Sequence, residues 1–185
     1  MFECLNLHFF SDTTSPLLLQ KPTTTLVPKK LTPIQSYIST LHRCHLGPQK
    51  CFDGKSSTMC LSQNEDTPWL AFEFQSQINV SSIVLRNPPK HGNRTANVYV
   101  RVTDRLPAIG EGIFSEGNLI GIFTGPGRDD QTIHIETDSS LSGRYLLIQM
   151  DKRAANRSLR YLNLIEVEVI GTLQAGDISK LSLRF

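Results

Sequence analysis

The chain has 185 residues, 39% of them hydrophobic and 19% charged, which suits one globular domain with a real core and excludes a disordered chain. Its 19 basic and 17 acidic residues leave a net charge of +2, too balanced for a nucleic-acid partner, and no basic run or aromatic–basic stripe argues for one. No apolar stretch approaches the length of a membrane-spanning helix.

Met1 to Phe10 is mildly apolar but carries Glu3 where a secretory signal carries positive charge, so no signal peptide is expected there. Residues 1–15 lack periodicity and read as a flexible leader. Leu17 to Leu26 is a short β-capable piece rich in Leu and Thr. Around Pro28, Pro33, Gly47 and Pro48, the segment Ile34 to Ile38 fits a helical turn or a strand equally.

From Trp69 onward the pattern is β. Trp69 to Phe74 alternates. Ser82 to Arg86 follows and ends at Asn87-Pro88-Pro89. Ala96 to Val102 puts Val98, Val100 and Val102 on one face. Leu119 to Phe123 is short and apolar. Thr132 to Glu136, Tyr145 to Met150 and Leu162 to Ile170 complete the set. Many short alternating runs separated by Gly, Pro, Asn and Asp predict an all-β chain, an antiparallel sandwich or barrel. Such a fold presents its loops at two ends, here 51–68, 87–95, 104–117, 124–130 and 151–158.

Cys44, Cys51 and Cys60 fall within 17 residues, with Cys4 far away. No CxxC pair is present, which argues against zinc. One disulfide among the three clustered cysteines and reduced, partly buried thiols are equally compatible with this spacing. Asn79, Asn93 and Asn156 each begin an Asn-x-Ser/Thr glycosylation triplet. Three triplets favour an extracellular or cell-surface setting.

Several ordered segments resemble a known family. Leu19 to Thr24 is similar to the opening strand of discoidin domains, also called coagulation factor V/VIII type C domains. Cys51-Phe52-Asp53-Gly54-Lys55-Ser56-Ser57-Thr58 resembles their Asp-Gly loop, and Pro68-Trp69 to Phe74 the strand after it. Gly125-Pro126-Gly127, Ser142 to Gln149 and Leu162 to Val169 resemble the later part of the same fold. The resemblance runs over about 16–172, leaving 173–185 as a tail, and extends to the fucose-binding F-type lectins. It implies a jelly-roll, galactose-binding-like β-sandwich. The stretch from Pro22 to Asp53 is longer than in the family. Ile165 stands where many relatives carry a cysteine, so the family's terminal disulfide is not expected.

The resemblance also implies a stabilising Ca²⁺. Its side-chain ligands would be Asp53, Thr58 and Glu166, with carbonyls from Lys50 or Cys51 and from Lys55. A hard cation needs six to eight oxygens, and a tight loop can supply carbonyls beside a carboxylate and a hydroxyl. Read without the family, Asp53-Gly54 is a turn and Glu166 a solvated strand residue.

F-type lectins hold fucose with a His before the Pro-Trp strand and two Args in the next long loop. Arg94 matches the second Arg. Asn87 falls at the first, with Arg86 beside it. The His position falls near Leu61 or Ser62, Pro89 replaces an acidic residue, and Lys90 and His91 replace adjacent cysteines. The fucose triad is broken, so fucose specificity does not carry over. Lys90, His91, Arg94, Arg86 and Asn87 remain as candidate sugar contacts. The alternative is a solvated loop, glycosylated at Asn93. His134 and Trp69 are expected to be structural.

Three functions compete. The first is a glycan- or glycoprotein-binding module of lectin type. The second is a cell-adhesion domain for a protein receptor or membrane surface, with Ile113, Phe114 or Leu119 at a loop tip. The third, an enzyme, lacks a Gly-x-Ser-x-Gly elbow, a His-Glu-x-x-His helix and a phosphate loop. Asp129-Asp130 reads as an exposed turn. The expectation is a non-enzymatic module, with any catalysis in a larger parent protein.

Overall fold

A computed structural model of the protein describes residues 26–137, 141–153 and 155–174. The leader expected over 1–15 lies outside the described residues, as do most of the expected strand Leu17–Leu26 and most of the tail 173–185. The described strands are β1 (Lys29–Lys30), β2 (Gln35–Ile38), β3 (Cys60–Leu61), β4 (Trp69–Arg86), β5 (Val98–Thr103), β6 (Asn118–Phe123), β7 (Thr132–Glu136), β8 (Ser142–Met150), β9 (Asn163–Leu164) and β10 (Glu166–Leu173). All their pairings are antiparallel.

The ambiguous segment before Ile38 is therefore a strand. The two runs expected at Trp69–Phe74 and Ser82–Arg86 are one strand of 18 residues. Its first half pairs with β2 and β8, and β8 continues to β5 and β6. Its second half pairs with β10 and β7, and β10 continues to β1. One strand thus belongs to both layers of a sandwich, as happens where a strand crosses a corner through a bulge.

The sequence marks that crossing. Inward-facing residues are Leu70, Phe72, Phe74, Ile78 and Val80, then Ile83 and Leu85. The alternation changes parity after Val80. In the pairing with β10, Ile170 faces Ser82 and Gly171 faces Val80, so Ser81 is the extra residue. A one-residue bulge flips every later side chain to the other face, which returns Ile83 and Leu85 to the core.

The core joins these residues with Val98, Val100 and Val102 of β5, Leu146, Ile148 and Met150 of β8, and Val167 and Val169 of β10. A smaller cluster of Trp69, Ala71, Leu147 and Phe114 lies apart from it. Alternation along β4 and β8 puts it on the outer face of the first layer. Phe114 comes from the loop between β5 and β6. That loop is held by Gln149, whose Oε1 accepts the Phe114 N–H at 2.8 Å and whose Nε2 donates to the Gly112 carbonyl at 2.7 Å. Arg105 covers the Phe114 ring at 4.8 Å. Phe114 is thus core rather than a membrane-facing tip, and Trp69 is core as expected.

Candidate functional site

Two short pieces build one end of the sandwich. β3 pairs with β9, setting Leu61 opposite Asn163 and Cys60 opposite Leu164. Ser62 locks this pairing: its N–H reaches the Leu162 carbonyl at 3.0 Å, and its buried Oγ accepts the Leu162 N–H at 2.9 Å. Beside them the 87–95 loop closes over a cavity of about 330 Å³, near the lower end of the range for small-molecule sites. Met59, Leu61, Pro88 and Pro89 give it apolar walls. Lys90, His91, Arg94 and Asn163 give it polar ones.

The loop is held by Asn87. This side chain accepts the Thr95 hydroxyl at 2.7 Å and donates to the Arg128 carbonyl at 3.0 Å and the Gly92 carbonyl at 3.3 Å. The Gly92 N–H in turn reaches Asp129 Oδ1 at 2.7 Å. A Cβ at position 92 would collide with the Arg128 carbonyl, so only glycine allows this approach. Asn87 is buried and fully used inside the loop, so it shapes the pocket without lining it.

Arg94 is positioned from three sides. Its guanidinium lies 4.6 Å from the centre of the Tyr161 ring, a cation–π distance. Its Nε donates to the Ser158 carbonyl at 3.2 Å. Its own carbonyl accepts the ammonium of Lys152. Burial lowers the pKa of Arg94, opposed by Tyr161. Lys152 is only 2% exposed, and burial, with the Arg94 charge adding to it, pushes its pKa down to about 8.

Of the expected sugar contacts, Lys90, His91 and Arg94 line this pocket together. Arg86 does not; it lines a separate cavity of about 110 Å³ beside Glu166. Leu61, at the position where the lectin His would fall, is part of the wall. Sequence reasoning missed Asn163. It is 2% exposed, and its Oδ1 is buried without a hydrogen-bond partner. A polar residue between Leu162 and Leu164 in the closing run was the available signal.

The candidate cation loop is closed by a disulfide between Cys51 and Cys60, while Cys44 is free and exposed. Within it Thr58 Oγ1 lies 2.8 Å from Asp53 Oδ1 and 3.1 Å from the Lys55 carbonyl. Gly54, at φ +72°, turns its N–H onto Glu166 Oε2 at 3.1 Å, tying the loop to β10. Burial pushes the Asp53 pKa up, but bonds from Thr58 and the Lys55 N–H, with the charges of Lys50 and Lys55, hold it below its ordinary value. Burial raises that of Glu166.

Glu166 is 5% exposed, and its Oε1 is buried without a partner. An unpaired buried carboxylate oxygen is costly, and a cation is one way to satisfy it. Among the described residues no three His, Cys, Asp or Glu side chains converge, so an ion here would depend on hydroxyl and carbonyl oxygens as well. The Lys50 ammonium, 3.8 Å from Asp53 Oδ2, would have to swing aside. Asp53, Thr58 and the Lys55 carbonyl gather oxygens within this loop, and Glu166 joins it through Gly54, four of the oxygen donors a hard cation would draw on.

The triplet asparagines differ in setting. Asn79 lies inside β4, paired to both neighbours, and accepts from Gln174 at 3.0 Å. Asn93 and Asn156 are exposed, Asn93 in the pocket loop itself.

Comparison with known proteins agrees with this architecture. No curated protein sequence matches the chain. A serum fucolectin of striped bass (Morone saxatilis) superposes with a TM-score of 0.64 at 18% identity, over 75% of this chain and 47% of that lectin. The chain therefore spans less than half of that lectin's length. A fucose-binding module of Streptococcus pneumoniae gives 0.56 at 14% identity, over 75% of this chain and 91% of the module. A family 32 carbohydrate-binding module from C. perfringens NanJ, solved with galactose, gives 0.54 at 15% identity, over 74% and 92%. These likenesses establish a galactose-binding-like β-sandwich. Residues 50–148, more than half of the chain, match the model of the NedA-like, galactose-binding domain, and the chain belongs to that discoidin-like, factor V/VIII type C family.

Proposed function

We propose that the protein is a non-enzymatic glycan-binding module that takes a sugar in the pocket between the 87–95 loop and the β3–β9 pair. The observation that carries this reading is the meeting of three nitrogen donors, Lys90, His91 and Arg94, with the orphan acceptor Asn163 Oδ1 on apolar walls. Sugars present hydroxyls to fixed donors and acceptors, and ring C–H faces to apolar side chains. Arg94 needs little further ordering to bind, being already stacked on Tyr161 and bonded to Ser158. The fucose- and galactose-associated neighbours support the same class of ligand.

Ca²⁺ at Asp53, Thr58, Glu166 and the Lys55 carbonyl is proposed as a stabiliser of the 51–60 loop. The buried disulfide fits an oxidising, extracellular or cell-surface setting. An adhesion role on membranes has less support, because Phe114 is buried and Leu119 stands on a strand.

The test is a glycan array followed by titration calorimetry. The wild type is expected to bind a defined set of saccharides, and Arg94→Ala to weaken binding at least tenfold at unchanged melting temperature. Absence of binding to any saccharide, or binding indifferent to Arg94, refutes the assignment.

A further inference from the structure

We propose that the pocket selects acidic sugars, a pyranose carrying a carboxylate or a sulfate, over their neutral counterparts. This rests on the reading of the pocket as a sugar site and narrows its ligand class.

The argument is one of charge balance. Lys90, His91 and Arg94 line the cavity, and no Asp or Glu does. Nearby carboxylates are committed elsewhere: Asp129 to the Gly92 N–H, Asp66 to Arg160 and Asp151 to Arg153. Arg94 makes no salt bridge among the described residues, and its terminal nitrogens have no hydrogen-bond partner there. Its neighbours are an aromatic ring and one carbonyl.

Behind it the buried Lys152 ammonium has, among the described residues, a single hydrogen-bond partner, the Arg94 carbonyl, and no salt bridge to a carboxylate. One cation, Arg94, lines the pocket and a second, Lys152, is buried behind it, and among the described residues neither makes a salt bridge. Such charges are costly unless paired, and an anion arriving from solution pairs them. Low-dielectric walls strengthen that field at the pocket mouth.

A bare anion does not complete the site. Asn163 Oδ1 is a buried acceptor that needs a donor, which a sugar hydroxyl supplies and inorganic sulfate does not. Met59, Leu61 and Pro88 offer an apolar surface for ring C–H groups, which an inorganic ion also lacks. Guanidinium binds carboxylate and sulfate alike through two parallel N–H donors.

The test uses the full chain and matched pairs: galactose with galacturonate, galactose with its 6-sulfate, and glucose with glucuronate. Inorganic sulfate is the control. The acidic member of at least one pair is expected to bind at least tenfold tighter than its neutral twin. The preference should shrink as salt rises from 50 to 500 mM. The carboxylate and sulfate arms identify which group is taken.

Lys90→Gln, at an exposed position and so safe for folding, should cut the acidic-to-neutral ratio several-fold. Arg94→Gln should bring it close to one. Neutral and acidic twins binding equally would overturn the acidic preference while leaving the glycan reading intact. Inorganic sulfate binding as tightly as the acidic sugars would also overturn it. No saccharide binding at all would remove both.

Discussion

Lys152 is a positive charge with almost no access to water and, among the described residues, no salt bridge to a carboxylate. Its pKa of about 8, against an ordinary 10.5, sets a direction for stability against pH. Between those values the unfolded chain holds a proton that the folded chain has released, so folding gains stability as pH rises from 8 towards 10.5. Above pH 10 the Tyr37 phenol works the other way. Its bond to Glu73 pushes its pKa up to about 12, so the folded state resists losing that proton. Lys152→Met should remove the rise between pH 8 and 10 and raise the melting temperature at pH 7, where the wild type carries the buried charge. Thermal melts of both proteins across that range check it, and parallel curves would contradict it. At this scale the sequence was only partly legible. Arg94, Lys90 and His91 stood together in a loop and could be picked by motif. Asn87 matched a ligand position but turned inward, and Lys152 gave no signal, because burial of a single lysine depends on packing from segments 58 and more residues away.

At the scale of elements, the short loop between Cys51 and Cys60 is the most testable unit. It carries Asp53, Thr58 and the Gly54 turn, and its disulfide has a sequence separation of 9. Closing a loop of that length removes unfolded-state entropy worth about 2–3 kcal/mol. The double variant Cys51→Ala/Cys60→Ala should therefore lose about that much in urea denaturation. If Ca²⁺ binds here, millimolar Ca²⁺ should raise the melting temperature of the wild type relative to chelator, and Glu166→Gln should abolish that shift. No shift in the wild type would remove the cation from this loop. Most strands were legible from alternation, because one face of each is buried. The joining of two runs into β4 was not. Ser81 sits as an extra residue in the ladder, and the change of parity it causes reads locally as the end of one strand and the start of another. The two-residue strands β1 and β3 carry no periodicity to read, yet β3 sets one wall of the pocket.

For the whole molecule, the proposed sugar pocket and the candidate cation loop are parts of one end of the sandwich. Both hang on the same short segments: Cys60 and Leu61 in β3 end the loop and begin the pocket, while Asn163 and Glu166 lie three residues apart near the start of the closing strands. A cation that stiffens the loop would therefore also steady the pocket wall, and sugar affinity should be higher in Ca²⁺ than in chelator. Calorimetry in the two buffers measures this coupling directly. Equal affinities would mean that the two sites behave independently.

Because β4 is hydrogen-bonded into both layers, neither layer can part from the other while that strand keeps its partners. Partial opening of the sandwich along its seam is thereby forbidden, and the amides of both halves of β4 should exchange with deuterium only when the entire domain unfolds. Hydrogen exchange should find Phe72 and Val84, from opposite layers, opening with the same free energy and the same denaturant dependence. Edge strands such as β6 should open earlier. A grip on the ligand at one end would then be felt as slower exchange through the full length of the molecule.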